Sequence, residues 1–389
     1  MKDRILGLQK NIFFLGLTSL FNDFSSEMVF AVFPAFFTTV LRAGAESLGL
    51  VDGVSEAASN FFKIYSGHFS DRSQKRKPFL VFGYGLSVIV RPFYVLVSTV
   101  GGALGLRFTD RVGKGLRDAP RDAIISLSVP KEELGRSFGY HRAMDTIGAI
   151  LGPLTAYLLL RYFPLRFDIV FLTAFAVGII ALFTLVFISD VAGTVAEKRS
   201  SVLAAFGELS NRFKLFLLAT FILAIGSLPV SVVLLKTESL GLMVADIPLF
   251  FMVYSISYAT FSYSAGKVSD RVGARTIIMG GFALLVVSYF MLNAAESSWA
   301  LALGFFVFGL FPALTDGTQR SLASQLTAEY ARGGGLGWLN AVNGFGALVA
   351  GIGGGFLWQT YGVSAAFMAA AVIVVIGMIL LAATALVRE

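Results

Sequence analysis

Several side chains in this sequence have the types and spacing needed to handle protons and small charged solutes. Asp23 and Glu27 stand four residues apart, as do His141 and Asp145, so the members of each pair share one face of a helix. Carboxyl and imidazole groups are common proton donors and acceptors in proteins. Asn22 adds a hydrogen-bonding amide beside the first pair. These spacings predict a polar site that binds a proton, a solute or both.

A second charged region is the stretch RFTDRVGKGLRDAPRD, residues 107–122. Its charged residues are Arg107, Asp110, Arg111, Lys114, Arg117, Asp118, Arg121 and Asp122. On a helix they fall within an arc of roughly 140°. Such a face requires water or partner charges, so the stretch is interpreted as the wall of a polar pathway between helices. The alternative is a charged cytoplasmic loop.

The composition places these charges in a membrane protein. Of the 389 residues, 56 % are hydrophobic and 14 % are charged, whereas roughly a quarter of the residues in soluble domains are charged. Long apolar runs recur without alternating patterns, which predicts spanning helices rather than a barrel. The net charge of +7 lies in short segments between those runs, so it indicates membrane orientation and not a nucleic-acid partner. With no cysteine and two histidines, no metal site is expected.

Twelve spanning helices are predicted at about 20 residues per span, in an all-α integral membrane protein. Their predicted ranges are 11–41, 46–67, 79–98, 103–127, 137–160, 167–189, 213–236, 246–266, 275–294, 298–325, 334–357 and 363–386. The polar interval 191–212 predicts a linker between an N-terminal half, residues 1–190, and a C-terminal half, residues 213–389. Lys and Arg cluster on one side of this arrangement, so both termini and the linker are expected in the cytoplasm, with the protein in the plasma (inner) membrane.

An offset of 199 residues relates the two halves. The related pairs are Gly67 and Gly266, Asp71 and Asp270, Arg72 and Arg271, Arg121 and Arg320, Gly135 and Gly334, and Gly152 and Gly351. One offset that holds across loops and helices predicts two parallel copies of a six-helix unit. It also aligns Asp110 with Gly309 in the apolar run FFVFGLFPAL, so the charged stretch is predicted to span the membrane rather than to form a loop.

Two loops carry a motif that resembles the G-x-x-x-D-R-x-G-R-[RK] loop of the major facilitator superfamily. They read SGHFSDRSQKRKP between predicted helices 2 and 3 and AGKVSDRVGAR between predicted helices 8 and 9, with departures at Gln74 and Ala274. The resemblance covers the whole chain and implies solute transport by rocking of two parallel six-helix halves. It also implies a gating latch on the cytoplasmic side, the alternative being a solvated basic loop. The residues assigned to the latch are Gly67, Asp71, Arg72, Arg121, Asp122, Asp270, Arg271 and Arg320.

Predicted helix 5 contains GAILGP at residues 148–153. This sequence resembles the G-x-x-x-G-P-x-x-G-G helix of proton-driven drug exporters, although the final glycines of that pattern are missing. The resemblance favours drug efflux. The alternative is that Gly148 and Gly152 allow close packing of two helices.

Together these features predict a secondary active transporter coupled to protons, without enzymatic activity or a resident cofactor. The residues expected to bind substrate or proton are Asn22, Asp23, Glu27, Arg111, Lys114, Arg117, His141, Asp145, Tyr254, Tyr258 and Asn343. The basic excess in residues 107–122 favours an anionic, zwitterionic or metal-chelating small molecule. The open alternatives are a proton-driven multidrug exporter, and a receptor or channel of the same fold. We expect a monomer whose partners are its substrate and the lipid bilayer.

Overall fold

Twelve long helices make up almost all of the structure, a computed structural model that describes residues 4–73, 75–191, 206–207, 209–327 and 332–386. The helices are α1 (Lys10–Thr39), α2 (Ala45–Ser73), α3 (Lys77–Ile89), α4 (Val100–Ser128), α5 (Leu134–Tyr162), α6 (Phe167–Leu185), α7 (Asn211–Ile225), α8 (Ile247–Val272), α9 (Ala274–Ala294), α10 (Ser298–Gln325), α11 (Arg332–Tyr361) and α12 (Val363–Ala383). The predicted all-α fold class is confirmed.

Nine spans within the described residues are long and apolar enough to cross a membrane. The three long helices outside that set are α1, α2 and α4, which carry Asp23 and Glu27, Asp71 and Arg72, and the charged stretch 107–122. The charged stretch nevertheless forms one continuous helix. The Thr99 hydroxyl accepts a hydrogen bond from the Gly102 amide at 3.1 Å and caps the start of α4, which then runs through Pro120 to Ser128.

The internal repeat is visible in the helix bounds. Adding the 199-residue offset to α4 and to α5 reproduces the ends of α10 and of α11 to within two residues. The two copies therefore share helix order and direction, which confirms two parallel six-helix halves.

Two spans are interrupted where the sequence analysis predicts continuous helices. The range 79–98 contains α3, which ends at Ile89, and a 3₁₀ segment at Pro92–Leu96. The range 213–236 contains α7, a short helix at Val230–Leu234 and the start of a 3₁₀ segment at Leu235–Leu240. Pro92 and Pro229 lack the N–H that a continuing helix needs.

The chain divides into two compact units. The first comprises Met1–Arg42, Ala58–Glu197 and Val244–Leu249, and the second comprises Ala43–Ala57, Lys198–Met243 and Phe250–Glu389. The beginning of α2 belongs to the second unit because it packs against α11 without intervening side chains. A Cβ atom added at Gly49 would collide with the carbonyl oxygen of Gly351. The linker proposed at residues 191–212 lies largely outside the described residues, so its bounds remain a prediction.

A short hairpin precedes α1. Strands β1 (Arg4–Ile5) and β2 (Leu8–Gln9) pair antiparallel. Leu6 and Gly7 have φ angles of 49° and 77°, which suit a two-residue hairpin turn. An Arg4 guanidinium nitrogen lies 2.6 Å from a Glu133 carboxylate oxygen, just before α5. This ion pair ties the N-terminus to the first unit.

Candidate functional site

Two glycines bring α5 close to α1 beside the carboxylates of α1. A Cβ atom added at Gly148 would lie 2.8 Å from the Phe24 amide nitrogen and 3.1 Å from the Asp23 Cβ atom. One added at Gly152 would lie 2.8 Å from the Glu27 Cβ atom. The GAILGP segment therefore serves close helix packing, which was one of its two interpretations. The contact fixes the positions of Asp23 and Glu27 along the axis of α5.

The two α1 carboxylates lie on the side of α1 that faces the basic residues of α4. Glu27 interacts electrostatically with Arg111, Lys114 and Arg107. Asp23 interacts electrostatically with Arg117, Lys114 and Arg121 of α4, and it also accepts a hydrogen bond of 3.2 Å from the Asn22 side-chain amide. Both carboxylates are half-buried. Opposite charges inside an apolar protein thus compensate one another in this part of the first unit.

His141 and Asp145 form a pair along α5. The His141 Nδ1 atom lies 3.4 Å from Asp145 Oδ2, and Asp145 Oδ1 accepts a hydrogen bond from the Ser19 hydroxyl of α1. Asp145 also interacts electrostatically with Asp23. The predicted His–Asp pair is therefore held to α1 through Ser19, close enough to Asp23 for the two carboxylates to influence each other electrostatically.

Near the start of α4, two arginines contact aromatic rings of α1. The guanidinium of Arg107 lies 4.7 Å from the ring centroid of Phe30 and 5.3 Å from that of Phe33, and Arg111 lies 5.9 Å from Phe30. Arg107 also pairs with Asp110 at 3.8 Å. Cation–π contacts of this kind stabilise a partly desolvated guanidinium.

Arg117 is placed differently from the other predicted basic residues. It is buried against α3, where its guanidinium donates to the Ser87 hydroxyl at 2.6 Å and lies 4.6 Å from the Tyr84 ring centroid. Gly113 on the same side of α4 touches the α3 backbone at Gly83. These contacts give Arg117 a packing role between α3 and α4, whereas Arg111 and Lys114 have the largest electrostatic influence on Glu27 among the basic residues of α4.

An ion network occupies the far end of α4. Asp118 pairs with Lys63 of α2 at 3.4 Å and with Arg121 at 3.4 Å, and Arg121 pairs with Asp122 at 2.9 Å. Gly67 allows α2 to approach within 3.4 Å of the Ala119 side chain, measured from an added Cβ atom. The network links α2 to α4 beside the proposed latch.

The structure joins only part of the proposed latch. Asp122 pairs with its neighbour Arg121, whereas Arg72 is exposed and has no ion pair within the described part of the chain. The Asp71 side chain lies outside the described residues. In the second half Asp270, Arg271 and Arg320 are exposed. The latch remains a prediction.

The predicted residues of the second half lie in the second unit. The Tyr258 hydroxyl donates to an Asp316 carboxylate oxygen at 2.8 Å. Tyr254 packs its ring against Phe308 at a centroid distance of 5.4 Å, and Asn343 is half-buried on α11. Their contact with a solute remains a prediction.

Arg91 was not singled out by the sequence analysis, although it touches the site. It is only 2 % exposed, and its guanidinium donates at 3.1 Å to the side-chain oxygen of Asn22, the neighbour of Asp23. The available signal was the dipeptide Arg91-Pro92 inside an apolar run, since a charged residue at a helix break in a membrane span is costly.

Among the residues that the structure describes, no three His, Asp or Glu side chains are arranged to hold a metal ion. The groups assembled in the first unit are instead paired acids and bases.

Comparison with known proteins gives consistent matches. The model of the Major Facilitator Superfamily matches residues 15–248 and 215–389. An uncharacterized MFS-type transporter of Methanocaldococcus jannaschii is 34 % identical over 359 residues, covering 90 % of this chain and 89 % of the relative. The multidrug resistance protein MdtG of Enterobacter lignolyticus is 26 % identical over 294 residues, covering 73 % of this chain and 69 % of the relative.

Among solved structures, the crystal structure of the nucleoside transporter NupG resembles this chain with a TM-score of 0.80. The similarity covers 98 % of this chain and 100 % of that protein at 14 % sequence identity. It establishes the shared fold.

Proposed function

The chain belongs to the major facilitator superfamily and is an integral membrane transporter of that superfamily, and from this premise we propose that it carries a small anionic or zwitterionic solute, or a metal chelate, by alternating access coupled to protons. The observation that carries the proposal is the placement of Glu27 on α1 where Arg111 and Lys114 on α4 act on it electrostatically.

This placement suggests how proton and solute binding are linked. An ion inside a membrane protein costs several kcal/mol unless it is paired or hydrated. While Glu27 is ionised, it compensates Arg111 and Lys114. When Glu27 takes up a proton, these bases lose that compensation, and an anionic group of the solute replaces it. Uptake of a proton therefore favours binding of an anion at the same place.

Rocking of the two halves supplies the coupling step. Burial favours the neutral form of a carboxyl group, and a nearby cation favours the ionised form. A motion that changes the distance from Asp23 or Glu27 to the bases of α4 changes the affinity for a proton. One state thus binds the proton and the other releases it.

The aromatic groups beside the bases support a solute with an apolar part. Phe30 lies within cation–π distance of Arg107 and Arg111, so a solute bound through its anionic group would lie against this ring. A small anion or zwitterion that also carries a planar or apolar part fits both features.

The charge distribution supports the proposed orientation. Basic residues such as Lys75, Lys77 and Lys214 fall on the side that also holds both termini and the linker. This bias favours a plasma (inner) membrane protein with those segments in the cytoplasm. We propose that it acts as a monomer. Reporter fusions that place residues 191–212 outside the cell would overturn the topology.

Purified protein in liposomes tests the proposal. A thermal-shift screen of small anions, zwitterions and metal chelates identifies a solute, and uptake is then measured with and without a pH gradient. Either Glu27→Gln or Asp23→Asn is expected to abolish gradient-driven accumulation and to retain exchange of labelled for unlabelled solute. Glu46→Gln, at an exposed position of α2, is the matched control and should accumulate normally. If both α1 variants still respond to the gradient, α1 is not the coupling site.

A second candidate is a proton-driven multidrug exporter. The relative named as a multidrug resistance protein and the GAILGP segment favour it. Cells that overproduce the protein would then tolerate several unrelated lipophilic drugs, and Glu27→Gln would remove the tolerance.

A channel or receptor of the same fold predicts a different result. Counterflow separates these possibilities, because a carrier exchanges labelled solute against an excess of unlabelled solute. A channel lets both equilibrate without counterflow, and a receptor moves neither.

A further inference from the structure

Arg91 occupies the break in the third span. It lies between Ile89, the last residue of α3, and the 3₁₀ segment Pro92–Leu96. Its side chain is among the largest fully buried ones of the described residues. A guanidinium always carries its charge and offers five donors. Its place in the fold therefore depends on the acceptors around it.

The acceptors nearest to Arg91 belong to α1 and are neutral. One Arg91 nitrogen lies 3.1 Å from Asn22 Oδ1, and another donates to the Ser25 hydroxyl, which in turn donates to the Ala174 carbonyl of α6. A Cβ atom added at Gly178 would collide with the guanidinium. Arg91 thus joins the third span to α1 and α6 at the height of Asn22.

The contact also fixes which way the Asn22 amide points. Because arginine has donors and no acceptor, it requires the oxygen of Asn22 to face it. The nitrogen of Asn22 must then point to the other side, where it lies 3.2 Å from Asp23 Oδ1. If the Asn22 amide were flipped, its NH₂ group would face the guanidinium and its oxygen would face the Asp23 carboxylate. Neither contact would then be a hydrogen bond. The order of groups is therefore guanidinium, amide and carboxylate.

We propose that Arg91 is a positioning residue for Asp23, acting through the side-chain amide of Asn22. It keeps an N–H donor directed at the ionised carboxylate and fixes the side chain against α1. The assignment deepens the proposed function, because it gives the coupling carboxylate a supporting group on another helix.

Other charged groups around this relay stay in place in every variant below. They are Glu27 on α1, Asp110, Lys114, Arg117 and Arg121 on α4, and Asp145 on α5. Their influence on Asp23 is therefore the same in all the variants that are compared. A change between variants therefore reports on Arg91 and Asn22.

A double-mutant cycle of Arg91→Leu and Asn22→Leu tests the relay. The first readout is the infrared carboxylate band of purified protein, assigned to Asp23 by its loss in Asp23→Asn. Each single variant is expected to shift that band, and the double variant is expected to shift it no further than Asn22→Leu alone. Ser25→Ala removes the contact of Arg91 with the Ser25 hydroxyl and should leave the band unchanged.

The second readout is the pH dependence of transport. Losing a hydrogen bond to the ionised carboxylate should raise the pH of half-maximal transport by about one unit or more. Arg91→Lys keeps a cationic donor, so its pH of half-maximal transport should lie closer to that of the unaltered protein than that of Arg91→Leu does. If Arg91→Leu does not fold, the cycle is run with Arg91→Met, which also removes the donors of Arg91.

The outcomes separate the relay from the function of Asp23. If the shifts of the two single variants add up in the double variant, Arg91 acts on Asp23 by its charge alone. If the band is unchanged in a folded variant that lacks the Arg91 donors, Arg91 has no link to Asp23. Either result overturns the proposal. A non-additive band shift combined with normal gradient-driven accumulation by Asp23→Asn would keep the relay and overturn the coupling role of Asp23.

Discussion

The Nδ1 atom of His141 lies 3.4 Å from the Oδ2 atom of Asp145, one turn further along α5. The other ring nitrogen of His141, Nε2, is buried and has no hydrogen-bond partner among the described residues. The pair is held from the opposite side by the Ser19 hydroxyl, which donates to Asp145. The orientation of the imidazole therefore depends on Asp145, and so does the attachment of α5 to α1 at this height.

Asp145→Leu should destabilise the protein strongly. The change leaves the Ser19 hydroxyl and His141 Nδ1 buried without acceptors, and each unsatisfied group costs about 1–3 kcal/mol. The melting temperature in detergent should fall clearly. Asp145→Asn keeps an oxygen acceptor and is the matched control, with a smaller fall. Equal melting temperatures for the two variants would contradict this account of the pair.

Gly152→Ala should weaken the contact between α1 and α5. The new methyl group would meet Glu27 Cβ at 2.8 Å, and overpacking of this kind costs about 1–3 kcal/mol. Gly139→Ala on the same helix meets no atom within 4 Å and should be neutral or stabilising, since alanine favours helices over glycine. The comparison is made by thermal unfolding. The packing argument fails if Gly152→Ala is as stable as Gly139→Ala.

Neutralising Arg111 or Lys114 should weaken solute binding. If these bases contact an anionic group, Arg111→Gln and Lys114→Gln each lose about 1.5–3 kcal/mol, which corresponds to roughly 10- to 100-fold in Kd. Isothermal titration of purified protein with the solute from the thermal-shift screen measures this. Lys75→Gln, at an exposed loop position, should bind like the unaltered protein. A solute bound more tightly by the neutralised variants would identify a cation and refute the assignment.

Asp71→Asn should shift the population of states inward and impair transport while leaving the fold intact. The physical reason is the loss of a carboxylate expected near a helix N-terminus. Because the chain contains no cysteine, single cysteines introduced on the cytoplasmic side report accessibility without background. Glu296→Gln, at an exposed position, serves as the control. Unchanged labelling and unchanged transport by Asp71→Asn would indicate a passive loop.

Patterns that repeat along the chain predicted the fold well. The alignment of Asp110 with Gly309 identified residues 107–122 as a span, and this stretch lies within one continuous helix. Local breaks were missed, since hydrophobicity averaged over a span does not register one proline. Pro92 and Pro229 carried the signal for those breaks.

The site was predicted less completely, because the positions of charged residues around one helix do not show which neighbouring helix each residue packs against. Arg117 falls within the same charged arc as Arg111, yet it packs against Tyr84 and Ser87 of α3. A wide arc faces more than one helix, and only the packing decides which part meets which neighbour. Arg91 has no charged partner at helical spacing, so no periodicity marks it. Its relation to Asn22 exists only after the spans have assembled.

The hairpin at the N-terminus has a consequence for biosynthesis. Arg4 is synthesised before the first four helices, and its partner Glu133 follows 129 residues later along the chain. The N-terminal hairpin therefore cannot form its ion pair with Glu133 until the first four spans have been synthesised. Since an ion pair between exposed side chains contributes at most about 1 kcal/mol, docking is readily reversible, and a nascent chain can still adjust the first helix while the fifth is being inserted.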